Sequence, residues 1–202
     1  MTHYDYIIAD VRLRSECDLV ALGLRGFAPF MAEVEGDADC LFAATDKVKS
    51  YDAQTLKKLS ESYLAEADAE GVLYKSADGY LYRITPCGDS DRVTEFAIDT
   101  TTMRMTTNIF EGDVDVAILR FGLWILFGVV LASHNAIAIH SSAIECEGRV
   151  VLFLGESGTG KSTHTRLWRE HITGARLLND DSPIVRFIDG KAIIYGSPWS
   201  GK

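Results

Sequence analysis

Residues 155 to 163 read Gly155-Glu156-Ser157-Gly158-Thr159-Gly160-Lys161-Ser162-Thr163, a spacing suited to holding phosphate. The glycines allow a tight backbone path whose N–H groups converge on an anion at a helix N-terminus. Lys161 can then reach β and γ phosphates, and the Ser162 hydroxyl is a hard ligand for Mg²⁺. The ligand this implies is a nucleotide such as ATP. Two carboxylates, Asp180 and Asp181, lie 19 and 20 residues beyond Lys161 at the end of the apolar run Leu177-Leu178. Paired acids at a strand end could ligate Mg²⁺ and also orient a hydroxyl acceptor or take its proton. The same residues could equally form a solvated turn before Pro183. His140, 21 residues before Lys161, follows an apolar run; it could donate a hydrogen bond to phosphate or carboxylate, or serve only structure.

These groups need elements to position them. Val150 to Leu154 predicts a buried strand entering the loop, and Thr163 to His171 a helix leaving it. Around them, 136–139, 143–146, 175–178, 184–188 and 192–195 are short apolar strand candidates, with turns at Glu147-Gly148 and Asp189-Gly190. One long helix among so many strands suggests a mixed sheet rather than regular βαβ alternation. The segment 196–202 is expected to be a turn, with a loop that brings Ser200 or Lys202 near an acceptor as the alternative. Trp124, Phe127 and Trp168 read as core, Arg166, Arg169 and His171 as surface, and His134 as a helix-end group.

Residues 1–112 read as a β-rich α+β region that could bind a substrate or partner, followed by a nucleotide-binding domain over 113–202. Tyr4 to Leu13 resembles one strand and 41–45 another. Gly71 to Ile84 reads as a hairpin turning at Ala77-Asp78-Gly79, and Val93 to Phe110 as a strand or bent pair. Between them, Leu56, Leu59, Tyr63 and Ala67 recur at helical spacing and predict a one-sided helix over Asp52 to Ala69. Glu111-Gly112-Asp113 marks the boundary before a long apolar helix at about 114–133.

The chain has 202 residues and is 47% hydrophobic, enough for a sizeable core. Its net charge of -9 excludes a basic nucleic-acid footprint. Residues 1–110 hold 11 basic and 19 acidic side chains, and 111–202 hold 9 and 10. Four cysteines without a CxxC pair argue against zinc or a disulfide framework, and for a reducing cytoplasm. The N-terminus lacks a secretion-signal layout. The most apolar stretch, 121–132, is 12 residues long, against the ~20 of a bilayer span, so no membrane partner is expected and the stretch reads as a buried helix.

Taken in order, His140-Ser-Ser-Ala-Ile, the 155–162 loop and Arg176-Leu-Leu-Asn-Asp-Asp resemble the C-terminal kinase domain of bacterial HPr kinase/phosphorylase and, more distantly, ATP-dependent phosphoenolpyruvate carboxykinase. The resemblance covers about residues 136 to 190. It implies an α/β fold with a mixed sheet and an ATP- and Mg²⁺-dependent transfer to a hydroxyl of a protein serine or a small molecule. Position by position it implies that Lys161 contacts phosphate, Ser162 and Asp180 belong to the Mg²⁺ shell, His140 is an active-site histidine and Asp181 accepts the proton. The lysine-to-acid interval is about two residues longer than that family leads one to expect, and residues 1–110 do not resemble its usual N-terminal domain. The metal-binding acid that the family places farther on is not identifiable before Lys202, which reads as a chain shortened at its C-terminus. A nucleotide-binding regulatory module with little turnover is therefore the alternative function. Homo-oligomerisation, the acceptor and the purine preference stay open.

Overall fold

The computed structural model describes residues 2–44, 48, 51, 54–156 and 158–200. Thr45, Asp52, Ala53, Ser157, Gly201 and Lys202, which fall within the sequence-based expectations, lie outside that set.

Nine strands from the first half form one mixed sheet. They are β1 (Tyr4–Ile8), β2 (Val11–Ser15), β3 (Met31–Ala32), β4 (Cys40–Ala43), β5 (Lys57–Leu64), β6 (Ala69–Lys75), β7 (Gly79–Pro86), β8 (Thr94–Asp99) and β9 (Arg104–Thr107). Their order is β3-β1-β2-β4-β9-β8-β7-β6-β5. Only β2–β4 and β4–β9 are parallel.

Residues 4–13 form a hairpin rather than one strand. Ala9 and Asp10 both take positive φ, 53° and 59°, the conformation of a two-residue turn that reverses the chain with the sheet's twist. The larger correction concerns 52–69, where β5 and β6 stand in place of the expected helix. Leu59 and Tyr63 are 45% and 62% exposed, so the helical spacing marks no buried stripe. The face of the sheet that such a helix would cover is taken by α1 (Val116–Ser133), which packs on β7 and β8. Residues 57–64 instead extend the sheet edge by a ladder to β6, with a register shift between Lys58 and Ser60. Non-local pairing overrides a weak local preference here. The hairpin at 76–78 and the pair within 93–110 form as expected.

Asp115 caps α1, accepting from the amides of Ala117 and Ile118 at 2.9 and 3.1 Å. By length and composition alone the helix could cross a membrane, with mean hydropathy 2.2; here Ile118, Leu119, Leu123, Leu126, Phe127, Val130 and Leu131 are buried in the protein. Gly122 lets α1 lie directly on the sheet, because a Cβ there would sit 2.3 Å from the Phe96 ring.

The second half comprises β10 (Ala136–Ala138), β11 (Ser141–Cys146), β12 (Arg149–Leu154), α2 (Lys161–His171), β13 (Arg176–Asn179), β14 (Ile184–Ile188) and β15 (Lys191–Tyr195). The expected strands are present, yet they form two three-stranded sheets, β10-β14-β15 and β12-β11-β13, with antiparallel pairing throughout. The mixed sheet thus lies in the first half. Trp199 joins the halves, its ring 5.3 Å from Phe27 and 5.5 Å from Phe127. Arg186 donates to the Ala9 carbonyl at 2.7 Å, and Tyr195 hydrogen-bonds Asp10.

Asp5 sits between two guanidiniums, 2.8 Å from Arg12 and 3.0 Å from Arg14. Burial alone would raise its pKa, but hydrogen bonds and charge from both arginines outweigh burial and hold it below the usual carboxylate range. A depressed folded value stabilises above the unfolded value, about 3.9, and that contribution is lost as pH falls through the folded one. Asp5→Asn should therefore flatten the acid limb of a Tm-versus-pH curve below about pH 4; an unchanged limb would remove Asp5 from the account. In Gly122→Ala, overpacking against Phe96 should cost about 1–3 kcal/mol in denaturant unfolding.

Candidate functional site

β12 delivers the chain to the loop, but not as a buried strand. Among the described residues it pairs only with β11, and its own residues are either exposed or half-buried, with Leu154 65% exposed. An edge strand covered on one face by α2 cannot be buried on both. On that covered face Phe153 stacks on His164 at 5.6 Å and meets Trp168 edge-on at 5.7 Å. Trp168 is half-buried in this small cluster, while Arg166, Arg169 and His171 are exposed.

Gly160 ends the loop at φ 93° and precedes α2 without any side-chain cap. The amides of the first turn are thereby left for an anion. Thr159 braces the loop, donating through its hydroxyl to the Glu156 carbonyl at 2.7 Å. Lys161 folds back over it, donating to the carbonyls of Gly155 and Glu156 at 2.7 and 2.9 Å.

The acids arrive from β13. Asn179 is buried, and its Oδ1 accepts from the amides of Asp181 and Ser182 at 3.1 and 2.9 Å. Its Nδ2 donates to the Ser197 carbonyl at 3.2 Å. This fixes the turn so that the two carboxylates diverge. Asp180 Oδ1 accepts from Ser142 at 2.5 Å and from Ser162 at 3.2 Å. Asp181 faces His140 Nδ1 at 3.1 Å and Arg120 Nη2 at 3.7 Å.

His140 closes the circuit, because its Nε2 lies 3.2 Å from Lys161 Nζ. An ammonium has no acceptor, so Nε2 accepts and the ring proton sits on Nδ1, aimed at Asp181. His140, Gly158, Gly160, Lys161, Ser162, Thr163, Asp180 and Asp181 consequently line one cavity. The side chains of Glu156 and Thr159 are set outside it: Glu156 contributes its carbonyl and Thr159 its brace.

Four further residues join the site that had no role in the sequence reading. Ser142 shares Asp180, Arg120 approaches Asp181, Asn179 shapes the turn, and Ser182 accepts from Trp124 Nε1 at 3.1 Å. Arg120 carried a signal, as the one charged residue within the apolar run 116–133. Segment 196–200 is irregular, and Ser200 Oγ accepts from the Asp180 amide at 3.4 Å. It thus reaches the acid turn, while Lys202 lies outside the described residues.

Among the described residues no group of three His, Cys, Asp or Glu side chains gathers for a metal. The hard oxygens of Ser162 and Asp180, 3.2 Å apart, suit instead a cation that keeps water and phosphate ligands, as Mg²⁺ does. All four cysteines are free thiols. No family model, curated protein or solved structure matches this chain.

The pinned turn gives a direct expectation. Asn179→Ala would leave one buried and one half-buried amide without their acceptor and should cost about 1–3 kcal/mol in chemical denaturation; a cost near zero would show that Asn179 does not hold the acids.

Proposed function

We propose that this chain binds Mg²⁺-ATP at the 155–163 loop and transfers the γ-phosphoryl group to a hydroxyl, as a phosphotransferase related to HPr kinase. The observation that carries the reading is the convergence on one cavity of Lys161, His140, Asp181 and the Ser162–Asp180 pair, which come from three separate segments. The domain assignment follows from it: 113–202 is the catalytic part, with residues 1–112 as its scaffold and one wall of its acceptor side. The free cysteines accord with a reducing cytoplasm.

In this mechanism phosphate oxygens take over the Lys161 donors now held by the loop carbonyls. Ser162 and Asp180 would hold Mg²⁺, which neutralises developing phosphate charge. The acceptor oxygen forms a bond to Pγ as the bond from Pγ to the bridging oxygen breaks, releasing ADP, and the acceptor proton passes to Asp181. His140 holds the Asp181 carboxylate toward the cradle through Nδ1–H. Arg120 supports it from the other side without touching the phosphates.

Lys161→Ala should weaken Mg²⁺-ATP binding by tenfold or more, about 1.4 kcal/mol, by calorimetry. Asp181→Asn should keep that affinity and lower transfer by about 10²–10⁴-fold. Full transfer by Asp181→Asn would remove the base role. Nucleotide binding with no transfer to any acceptor pool would favour the regulatory module.

A further inference from the structure

A second cavity, of about 200 Å³, lies on the other side of the His140–Asp181 pair, and both residues line it as well as the phosphate cradle. Its walls are the aromatic rings of Phe121, Trp124 and Trp199. The polar groups around it are already engaged. Trp124 Nε1 donates to Ser182, Trp199 Nε1 donates to the Arg120 carbonyl at 3.2 Å, and Arg120 pairs with Glu66 at 3.0 Å as well as with Asp181.

We propose that this cavity is the acceptor subsite and that it takes an uncharged alcohol carried on an apolar or aromatic body. The proposal rests on the phosphotransferase reading and adds the class of acceptor. Asp181 is the group through which a hydroxyl in this cavity meets the cradle. Further hydroxyls would give up water for walls that return few hydrogen bonds, which disfavours sugars and polyols. Charge disfavours anionic acceptors, because two carboxylates, Glu66 and Asp181, face the space with one guanidinium, Arg120. An aromatic or aliphatic body fills it against three rings. With the alcohol seated there, its oxygen bonds to Pγ, its proton goes to Asp181 and ADP leaves from the cradle side.

The full chain labelled with 5-fluorotryptophan provides the test, because its three tryptophans divide cleanly. Trp124 and Trp199 line the cavity, whereas Trp168 packs on Phe153. Adding 2-phenylethanol should shift the ¹⁹F resonances of Trp124 and Trp199 saturably and leave Trp168 in place, with glycerol at equal concentration moving none. With Mg²⁺-ATP present, ³¹P spectra should show a phosphate monoester of 2-phenylethanol forming at least about tenfold faster than that of glycerol. Phe121→Asp should abolish the shifts while Mg²⁺-ATP still binds, which also shows that the variant is folded. Equal responses to the two alcohols, or a shift confined to Trp168, would overturn the assignment. Mg²⁺-ATP binding without any ¹⁹F shift would overturn the acceptor subsite alone; ¹⁹F shifts without Mg²⁺-ATP binding would overturn the phosphotransferase reading.

Discussion

The buried carboxamide of Asn179 is the constraint on which the site depends. One oxygen gathers the amides of Asp181 and Ser182, and the nitrogen ties the same turn to Ser197. Two adjacent carboxylates left to their own torsions would turn outward into water, because separated anions are better solvated. Holding the backbone instead makes them diverge toward different partners, Asp180 to the two serines and Asp181 to His140 and Arg120. The divergence of the two acids thus originates in the Asn179 side chain, which holds their turn through backbone amides.

From that turn, polar groups form a continuous line. It runs from Lys161 through His140, Asp181 and Arg120 to Glu66, and so from the start of α2 to the first-half sheet. Side-chain exposures of 56% for His140 and 61% for Glu66 mean that water screens these contacts, and each adds little to stability. Their value is positional. A cation beside each carboxylate limits the directions it can point, and the ring tautomer is set by a lysine that can only donate.

Much of the second half was legible from the chain. The glycines, Lys161 and Ser162 announce a strand–loop–helix unit through local rules, and the turns at 147–148 and 189–190 form where Gly follows an acid. What local rules could not show was partner choice. Leu56, Leu59, Tyr63 and Ala67 keep a helical spacing, yet the backbone donors of 57–64 find acceptors on β6 and the face a helix would need is covered by α1. Parallel pairing between β2, β4 and β9 brings together residues far apart in sequence, so no periodicity encodes it. Arg120 and Trp199 entered the site for the same reason, since each is placed by tertiary packing.

The two sides of the cradle rest on unequal supports. The acid turn is fastened to the main core: Asn179 and Ser182 are buried, Trp124 on α1 bonds Ser182, and Trp199 lies between Phe27 and Phe127. The loop side has far less beneath it. Within α2 only Thr165 is buried, and β12 is an edge strand without a fully buried residue. Local opening costs least where buried apolar contact is sparse, so the acids form the fixed wall and the glycine-rich loop the compliant one. A ligand that bridges Lys161, Ser162 and Asp180 would then stabilise mainly the loop side, because it supplies there the cross-connection that side-chain packing does not.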